Sequence, residues 1–209
     1  MINAVMPVYD GCDLLDVSGP YEFFHWAGYG IRMVAERKGI VTSSSGVKID
    51  IGTTFAEAGN DNVFFWVPGG SPDAIAAMQK SAAMQNFLKT QAQTVTFLAS
   101  VCTGALILAQ TGLLNGYEAT THWQFLPCFA RFPQINVAPG NPRFVIDRNR
   151  ITGGGISSGL DESLELIKLV SGVEQARYVQ RVTQYYPDPP VHSTIPVATS
   201  CPVPQAPAA

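Results

Sequence analysis

An uninterrupted apolar run, Val63 to Val67, ends abruptly at Pro68-Gly69-Gly70 and is followed by helical character from Ala74. A short run without polar alternation is expected of a strand that is buried on both faces of a sheet. A second strand-like stretch, Val95 to Val101, runs directly into a predicted helix. Strand-like and helix-like segments alternate in this way along the chain. This pattern predicts an α/β fold with a mostly parallel sheet and helices on both faces.

The composition narrows the classes of function. The 209 residues are 46% hydrophobic and 14% charged, with a formal net charge of -3. This charge, and the lack of any Lys/Arg cluster, predict no nucleic-acid partner. The apolar runs are too short to cross a bilayer, and the first ten residues contain no cation, so we expect neither a membrane span nor a signal peptide.

The composition changes at Pro187. Seven of the fifteen prolines follow this point, in a segment without apolar periodicity. We therefore predict one folded domain over residues 1–186 and an extended or disordered Pro-rich tail over residues 187–209.

The four cysteines, Cys12, Cys102, Cys128 and Cys201, form no CxxC pair and have no ligand-like spacing with the histidines. A zinc site is therefore not expected. Because the chain is large and shows no export signal, we expect reduced thiols and a cytoplasmic location.

Cys102 is the main candidate for chemistry. It lies where the strand Val95 to Val101 meets the predicted helix Thr103 to Thr111, near the positive end of a helix dipole that favours the reactive thiolate. Gly104 removes a side chain where the backbone bends, so a small substrate can approach the sulfur. The alternative is a buried cysteine that packs as a small hydrophobic residue. The position at the turn favours a nucleophile.

Asp16 is the candidate partner of this thiol. It lies in the predicted loop Leu14 to Pro20, which follows the first strand and precedes a helix from Tyr21 to Ala27. Loops that follow parallel strands gather at the carboxyl edge of a sheet, where ligands bind. Asp16 then either moves protons and positions water beside the thiol, or acts as an ordinary turn or cap residue.

Two glycine-rich loops are expected at the same edge. Gly69 and Gly70 present backbone N–H groups that suit an oxyanion hole, although a tight turn is the alternative. The loop Ile151 to Gly159 lacks the pattern of a phosphate-binding loop, so its backbone is expected to pass close to the active site.

His122 is a further candidate. It either acts on the thiol or holds a hydrogen bond at the start of a helix. Thr103 follows Cys102 directly, where a typical thiol protease would need a base. This argues against a protease.

Five motifs together resemble the DJ-1/PfpI superfamily, and more narrowly its isonitrile hydratase branch. They agree with the family in order and spacing and extend over residues 1 to about 186. The motifs are Leu15-Asp16-Val17-Ser18-Gly19-Pro20, Val67-Pro68-Gly69-Gly70, Ser100-Val101-Cys102-Thr103-Gly104, Ala119-Thr120-Thr121-His122-Trp123 and Thr152-Gly153-Gly154-Gly155-Ile156.

This resemblance implies a flavodoxin-like sandwich that forms a homodimer and uses no metal or organic cofactor. Much of the superfamily pairs its cysteine with a glutamate, whereas the hydratases have an aspartate, here Asp16. Protease-like members have histidine after the cysteine, whereas Thr103 matches the hydratases. Hydratases also tend to have an aromatic residue where Val191 follows the Pro-Pro of the tail. A tail that closes over the pocket would therefore change the substrate range.

The implied activity is hydration of a small uncharged isonitrile to an N-substituted formamide, through a cysteine thioimidate. The resemblance makes Cys102, Asp16 and Thr103 catalytic. The residues expected to contact the substrate or its developing charge are Gly69, Gly70, His122, Gly155 and Ile156.

Three other functions stay open. AraC-type regulators carry the same domain with very similar motifs, but they need a C-terminal helix-turn-helix module, and only a tail of about twenty residues follows Tyr186. Glyoxalase or deglycase chemistry would use the same cysteine and acid. A redox-sensing Cys102 is the third possibility.

Overall fold

The structure is a computed structural model that describes residues 2–204. Its elements are the strands β1 (Asn3–Pro7), β2 (Gly30–Val34), β3 (Gly39–Thr42), β4 (Lys48–Ile51), β5 (Phe64–Val67), β6 (Phe97–Ser100), β7 (Glu118–Ala119), β8 (Asn136–Val137), β9 (Phe144–Asp147) and β10 (Arg150–Gly153), the α-helices α1 (Leu14–Trp26), α2 (Pro72–Lys80), α3 (Ala82–Gln91), α4 (Gly104–Thr111), α5 (Ser158–Ser171) and α6 (Val173–Val182), and two 3₁₀ helices, Phe55–Glu57 and Trp123–Arg131.

The central sheet has six strands in the order β2-β1-β5-β6-β10-β9. All neighbouring pairs are parallel except β9 and β10, which form an antiparallel hairpin at one edge. Helices α1, α5 and α6 pack together as one group, and α2, α3 and α4 as another. The predicted flavodoxin-like α/β sandwich is confirmed.

The centre of the sheet forms the core. Every residue of β5 is buried, as the apolar run predicted. Phe24 of α1 packs edge-on against Phe64 and Trp66 of this strand, with ring centroids 4.9 and 5.5 Å away. These contacts fix α1 on one face of the sheet.

Strand β1 lies inside the sheet although it contains a proline, Pro7. Pro7 ends the strand, and β1 pairs with β5 only through Ala4 and Val5, so the missing N–H is tolerated there.

The predicted loop Leu14 to Pro20 is helical, because α1 begins at Leu14 and Pro20 lies inside it. A proline leaves the carbonyl four residues earlier without its helical donor. In this chain that carbonyl belongs to Asp16, and the indole Nε1 of Trp66 donates to it at 3.0 Å. The helix therefore continues through the proline, and Asp16 lies in its first turn.

The prediction of reduced thiols is wrong for two cysteines, because Cys128 and Cys201 form a disulfide. Cys12 and Cys102 are free and buried. The described part of the tail, residues 187–204, contains no helix or strand. The remaining residues of the predicted tail, 205–209, lie outside the described chain. Within residues 2–204, no helix is long and apolar enough to cross a membrane.

Candidate active site

Cys102 lies in the turn between β6 and α4 with a φ of 56°, in the left-handed region that residues other than glycine rarely adopt. Its backbone N–H donates to the carbonyl oxygen of Gly154 at 2.8 Å. Backbone strain of this kind persists where the surroundings hold it, and it concentrates at functional sites. The predicted strand–cysteine–helix turn is confirmed, and the side chain of Cys102 is only 3% exposed.

Gly104 serves a different purpose from the one predicted. A Cβ at this position would collide with the carbonyl oxygen of Val67 and lie 2.9 Å from that of Pro68. The missing side chain therefore makes room for the backbone that follows β5, not for a substrate. It allows α4 to begin tightly against the neighbouring loop.

Two carboxyl groups accompany the thiol. Cys102 Sγ lies 3.8 Å from Asp13 Oδ2, to which it donates. Asp16 is the third member of this cluster. One side-chain oxygen or sulfur atom from each of the three residues lies within 4.8 Å of the other two. Asp16 Oδ2 accepts from the Gly69 N–H at 2.8 Å, whereas its buried Oδ1 has no protein partner.

The surroundings favour the protonated forms of Asp16 and Cys102. Burial, and then the neighbouring Asp13, raise the pKa of Asp16 well above its usual value. Burial and the Asp16 carboxyl raise the pKa of the Cys102 thiol, although the N–H groups of Ile156 and Thr103 favour its thiolate. The N–H at the helix start therefore favours the thiolate, as predicted, but desolvation outweighs it and the net pKa of the thiol is raised.

The predicted oxyanion donors have partners inside the protein. The Gly69 N–H donates to Asp16, and the Gly70 N–H donates to Thr103 Oγ1 at 2.9 Å. The Thr103 hydroxyl in turn donates to the Gly70 carbonyl at 3.1 Å. In this structure these groups hold the aspartate and the turn in place, while the N–H groups of Thr103 and Ile156 face the sulfur.

A cavity of about 320 Å³ opens beside the cysteine turn. Two of the residues that line it bond to the backbone of Cys102: Thr121 Oγ1 donates to the Cys102 carbonyl at 2.8 Å, and the Gly154 carbonyl accepts the Cys102 N–H. The residues around the cavity are Thr121, His122, Trp123, Asn141, Pro142, Arg143, Gly154, Gly155, Ile156, Ser157, Ser158 and Ile195. This lining includes three predicted site residues, His122, Gly155 and Ile156.

His122 holds the start of the second 3₁₀ helix. Its Nδ1 accepts from the Gln124 N–H at 3.2 Å, so the structure supports the helix-start alternative. Burial lowers the pKa of His122, so the ring is neutral near pH 7. A Cβ at Gly155 would lie 2.6 Å from the His122 ring, which shows how closely the two walls of the cavity meet.

A family model described as the DJ-1/PfpI family matches residues 3–169. The chain belongs to this family. As a DJ-1/PfpI protein it is 35% identical to the isonitrile hydratase of Pseudomonas putida over 183 residues, which cover 87% of this chain and 78% of that enzyme. The crystal structure of a THiJ/PfpI family protein from Pseudomonas syringae superposes with a TM-score of 0.85 at 36% identity, covering 91% of this chain and 77% of that one.

The chain is also similar to part of a longer protein. The chain is 35% identical to the HTH-type transcriptional regulator GbdR of Pseudomonas aeruginosa over 111 residues. The match covers 52% of this chain but only 30% of the regulator. It therefore concerns a part of GbdR only.

Sequence reasoning missed one residue of this DJ-1/PfpI site, Asp13. It immediately precedes α1, three residues before Asp16, a spacing that places both side chains on one side of the helix start. Its Oδ1 accepts from Ser44 Oγ at 2.7 Å, which orients the other oxygen towards the thiol. The spacing was the available signal, but Ser44 comes from the turn between β3 and β4, far away in sequence.

Asp13, Asp16 and Cys102 also bring three potential metal ligands together. Metal ligands must be deprotonated to bind. Burial raises the pKa of Asp16 and of the Cys102 thiol, so both would have to lose a proton before they could bind a metal.

Proposed function

We propose that the protein is an isonitrile hydratase, which converts an isonitrile and water to an N-substituted formamide. One observation carries the proposal: the Cys102 thiol donates to Asp13, and Asp16, which has an unpartnered buried carboxyl oxygen, belongs to the same cluster. The similarity to the isonitrile hydratase of Pseudomonas putida supports the choice of substrate class.

The terminal carbon of an isonitrile must gain both a nucleophile and a proton. In the first step Cys102 Sγ bonds to this carbon, and the thiol proton reaches the same carbon through the carboxyl group of Asp13 or Asp16. The product is a thioimidate, R–N=CH–S–Cys102. A neutral thiol is suitable here because the proton that it gives up is consumed by the substrate.

In the second step water adds to the C=N bond of the thioimidate. One water proton goes to nitrogen, the oxygen bonds to carbon, and collapse of this adduct expels the Cys102 sulfur. The remaining proton returns to the thiol, and the formamide R–NH–CHO leaves. Asp16 suits proton transfer and water positioning, because it is held by the Gly69 N–H and has one free oxygen.

The backbone around the sulfur supports the same steps. The N–H groups of Thr103 and Ile156 favour negative charge on Cys102 while the proton is in transit. The cavity also fits an uncharged substrate, because His122 is neutral and Arg143 is already paired with Asp161, its Nε lying 2.7 Å from Oδ2.

The test is incubation with cyclohexyl isocyanide, with formamide formation followed by mass spectrometry. We expect turnover by the wild type and its near-complete loss in Cys102→Ala and Asp16→Asn. Cys12→Ala is the matched control, since Cys12 is the other free and buried cysteine and should be dispensable. A folded wild type that forms no formamide, or a Cys102→Ala variant that retains turnover, would refute the proposal.

A ligand-sensing function is the second candidate, and the match to GbdR favours it. It predicts isonitrile binding without turnover. The same incubation separates the two, and methylglyoxal turnover, assayed alongside, would instead indicate glyoxalase or deglycase chemistry. A stable Cys102 sulfenic or sulfinic acid after mild peroxide would indicate redox sensing.

We also propose a homodimer, as the family resemblance implies, to be tested by light scattering. The cytoplasmic location stays a prediction. The Cys128–Cys201 disulfide opposes it, because disulfides are rare in reducing compartments.

A further inference from the structure

The part of the tail that spans residues 186–200, called the strap below, is fixed at both ends. At its start the Tyr185 ring packs on Phe23, with centroids 5.4 Å apart, and its hydroxyl donates to Asp161 Oδ1 at 2.9 Å. At its end Cys201 is bonded to Cys128. The strap therefore cannot drift away from the domain while both attachments hold.

Val203, two residues after Cys201, reinforces the attachment of the tail at Cys201. Val203 is only 2% exposed, and its carbonyl accepts from Arg131 Nη2 at 2.8 Å. Both Cys128 and Arg131 belong to the second 3₁₀ helix, Trp123–Arg131, which His122 begins. The far end of the strap is therefore attached to the element that forms one wall of the cavity.

Between the two attachments, Ile195 reaches the cavity and lines it together with His122 and Ile156. It is 51% exposed, whereas the other aliphatic side chains of the strap, Val191 and Val197, are 76% and 89% exposed. The strap thus contributes one apolar side chain to the cavity. Other residues that line the same cavity contact Cys102: Thr121 and Gly154 bond to its backbone, and the Ile156 N–H faces its sulfur.

We propose that Ile195 limits the size of the carbon group that the substrate carries, and that the Cys128–Cys201 disulfide holds it in that position. The inference rests on the proposed hydratase function. Because the carbon of a linear R–N≡C group must reach the sulfur, the R group extends outward towards the strap. Linear groups pass Ile195, whereas branched or cyclic groups meet it.

Reduction of the disulfide removes this limit. A thiol reductant supplies two electrons and two protons, Cys128 and Cys201 become thiols, and the reductant becomes a disulfide. The far end of the strap is then held only by the burial of Val203 and its bond to Arg131, and we expect this weaker attachment to let Ile195 move away from the cavity wall. The range of accepted isonitriles therefore widens when the protein is reduced.

The first test compares kcat/KM for cyclohexyl and n-propyl isocyanide. We expect the cyclohexyl-to-propyl ratio to rise at least about fivefold in Ile195→Ala. This is just below the roughly 10- to 200-fold that apolar pocket contacts typically discriminate, because Ile195 is half exposed. Val191→Ala is the matched control, because it shortens an aliphatic side chain of the strap that does not line the cavity. An unchanged ratio in Ile195→Ala would refute the proposal.

The second test concerns the disulfide. Cys128→Ser/Cys201→Ser, and the wild type treated with dithiothreitol, should show the same rise in the ratio as Ile195→Ala. A rise in Ile195→Ala alone would refute the role of the disulfide. Because the double variant can lose stability, its thermal unfolding is measured in parallel, and Ile195→Ala keeps the disulfide and stays informative.

A third measurement is independent of hydratase activity. Alkylation of Cys102 by iodoacetamide and by a bulky maleimide is quantified by peptide mass spectrometry. We expect the rate with the maleimide, relative to iodoacetamide, to rise in Ile195→Ala and not in Val191→Ala. A changed alkylation ratio without formamide would refute the hydratase function only, whereas formamide formation with both ratios unchanged would refute the strap proposal only.

Discussion

Gly69→Ala tests how the loop after β5 positions the active-site turn. A Cβ at this position would lie 2.7 Å from both N and Oγ1 of Thr103 and 2.8 Å from Cys102 Cβ. Ordinary contact begins at 3.4 Å, so α4 and the loop must separate by about 0.7 Å. The hydrogen bonds between Thr103 Oγ1 and Gly70, at 2.9 and 3.1 Å, cannot keep their geometry after this shift.

The expected loss of stability combines three effects. Overpacking of a tight site costs about 1–3 kcal/mol, and weakened hydrogen bonds cost about 1 kcal/mol each. The lower entropy of the unfolded alanine chain offsets about 0.4–1 kcal/mol. We therefore expect the free energy of unfolding to fall by about 2–4 kcal/mol. For a chain of this size, this lowers the Tm by about 5–15 °C.

The rate of formamide formation should also fall, even at temperatures where the variant is fully folded. A displacement approaching 1 Å of a reacting group costs on the order of 100-fold in rate. The assays are thermal unfolding by circular dichroism, formamide formation, and the rate of Cys102 alkylation. Gly52→Ala is the matched control, because nothing lies within 4 Å of its Cβ position and its backbone is not left-handed. A Gly69→Ala variant with the Tm and alkylation rate of the wild type would show that the loop does not position the turn.

Three further predictions concern pH. Burial holds the pKa of Glu162 well above its usual 4.5, so the stability that its neutral form provides is complete below about pH 4.5 and is lost as the pH rises. Between about pH 5 and 8, the free energy of unfolding of Glu162→Gln should therefore fall less than that of the wild type. Urea unfolding at several pH values tests this, and an equal fall in both proteins would contradict it. Iodoacetamide should alkylate Cys102 half-maximally above pH 9, and Asp16→Asn should move the profile to lower pH; an unmoved profile would deny that Asp16 acts on the thiol. Lys38, together with the Thr54 N–H, lowers the pKa of Glu57 to about 2. Glu57→Gln should lower the Tm at pH 7, and the difference should vanish as the pH falls towards 2, which calorimetry in low salt would detect.

The sheet and the cysteine turn were predictable because their signals are local. The apolar run of β5 and the passage from β6 through Cys102 into α4 are both readable within about fifteen residues. Asp16 was found through a motif, but its place in a helix was not. The helix was predicted to begin at Tyr21, after Pro20, and only the contact with the distant Trp66 shows how a helix continues through that proline.

The rest of the site depends on contacts between distant segments. Asp13 points to the thiol because Ser44 holds its other oxygen. The raised pKa of Cys102 follows from burial, which the helix-start argument did not include. Cys128 and Cys201 are separated by 73 residues, and the tail has no periodicity that would indicate where it returns to the domain.

The disulfide also affects the unfolded chain. By joining residues 73 positions apart, it encloses β8, β9, β10, α5 and α6 in one covalent loop. In the chain-entropy model such a loop stabilises the folded state by about 4 kcal/mol, whereas a typical domain has only about 5–15 kcal/mol in total. The same sequence would therefore keep a wide margin against unfolding in oxidising surroundings and a narrow one in reducing surroundings. Its lifetime against proteolysis should follow the thiol balance of the compartment in which it is placed.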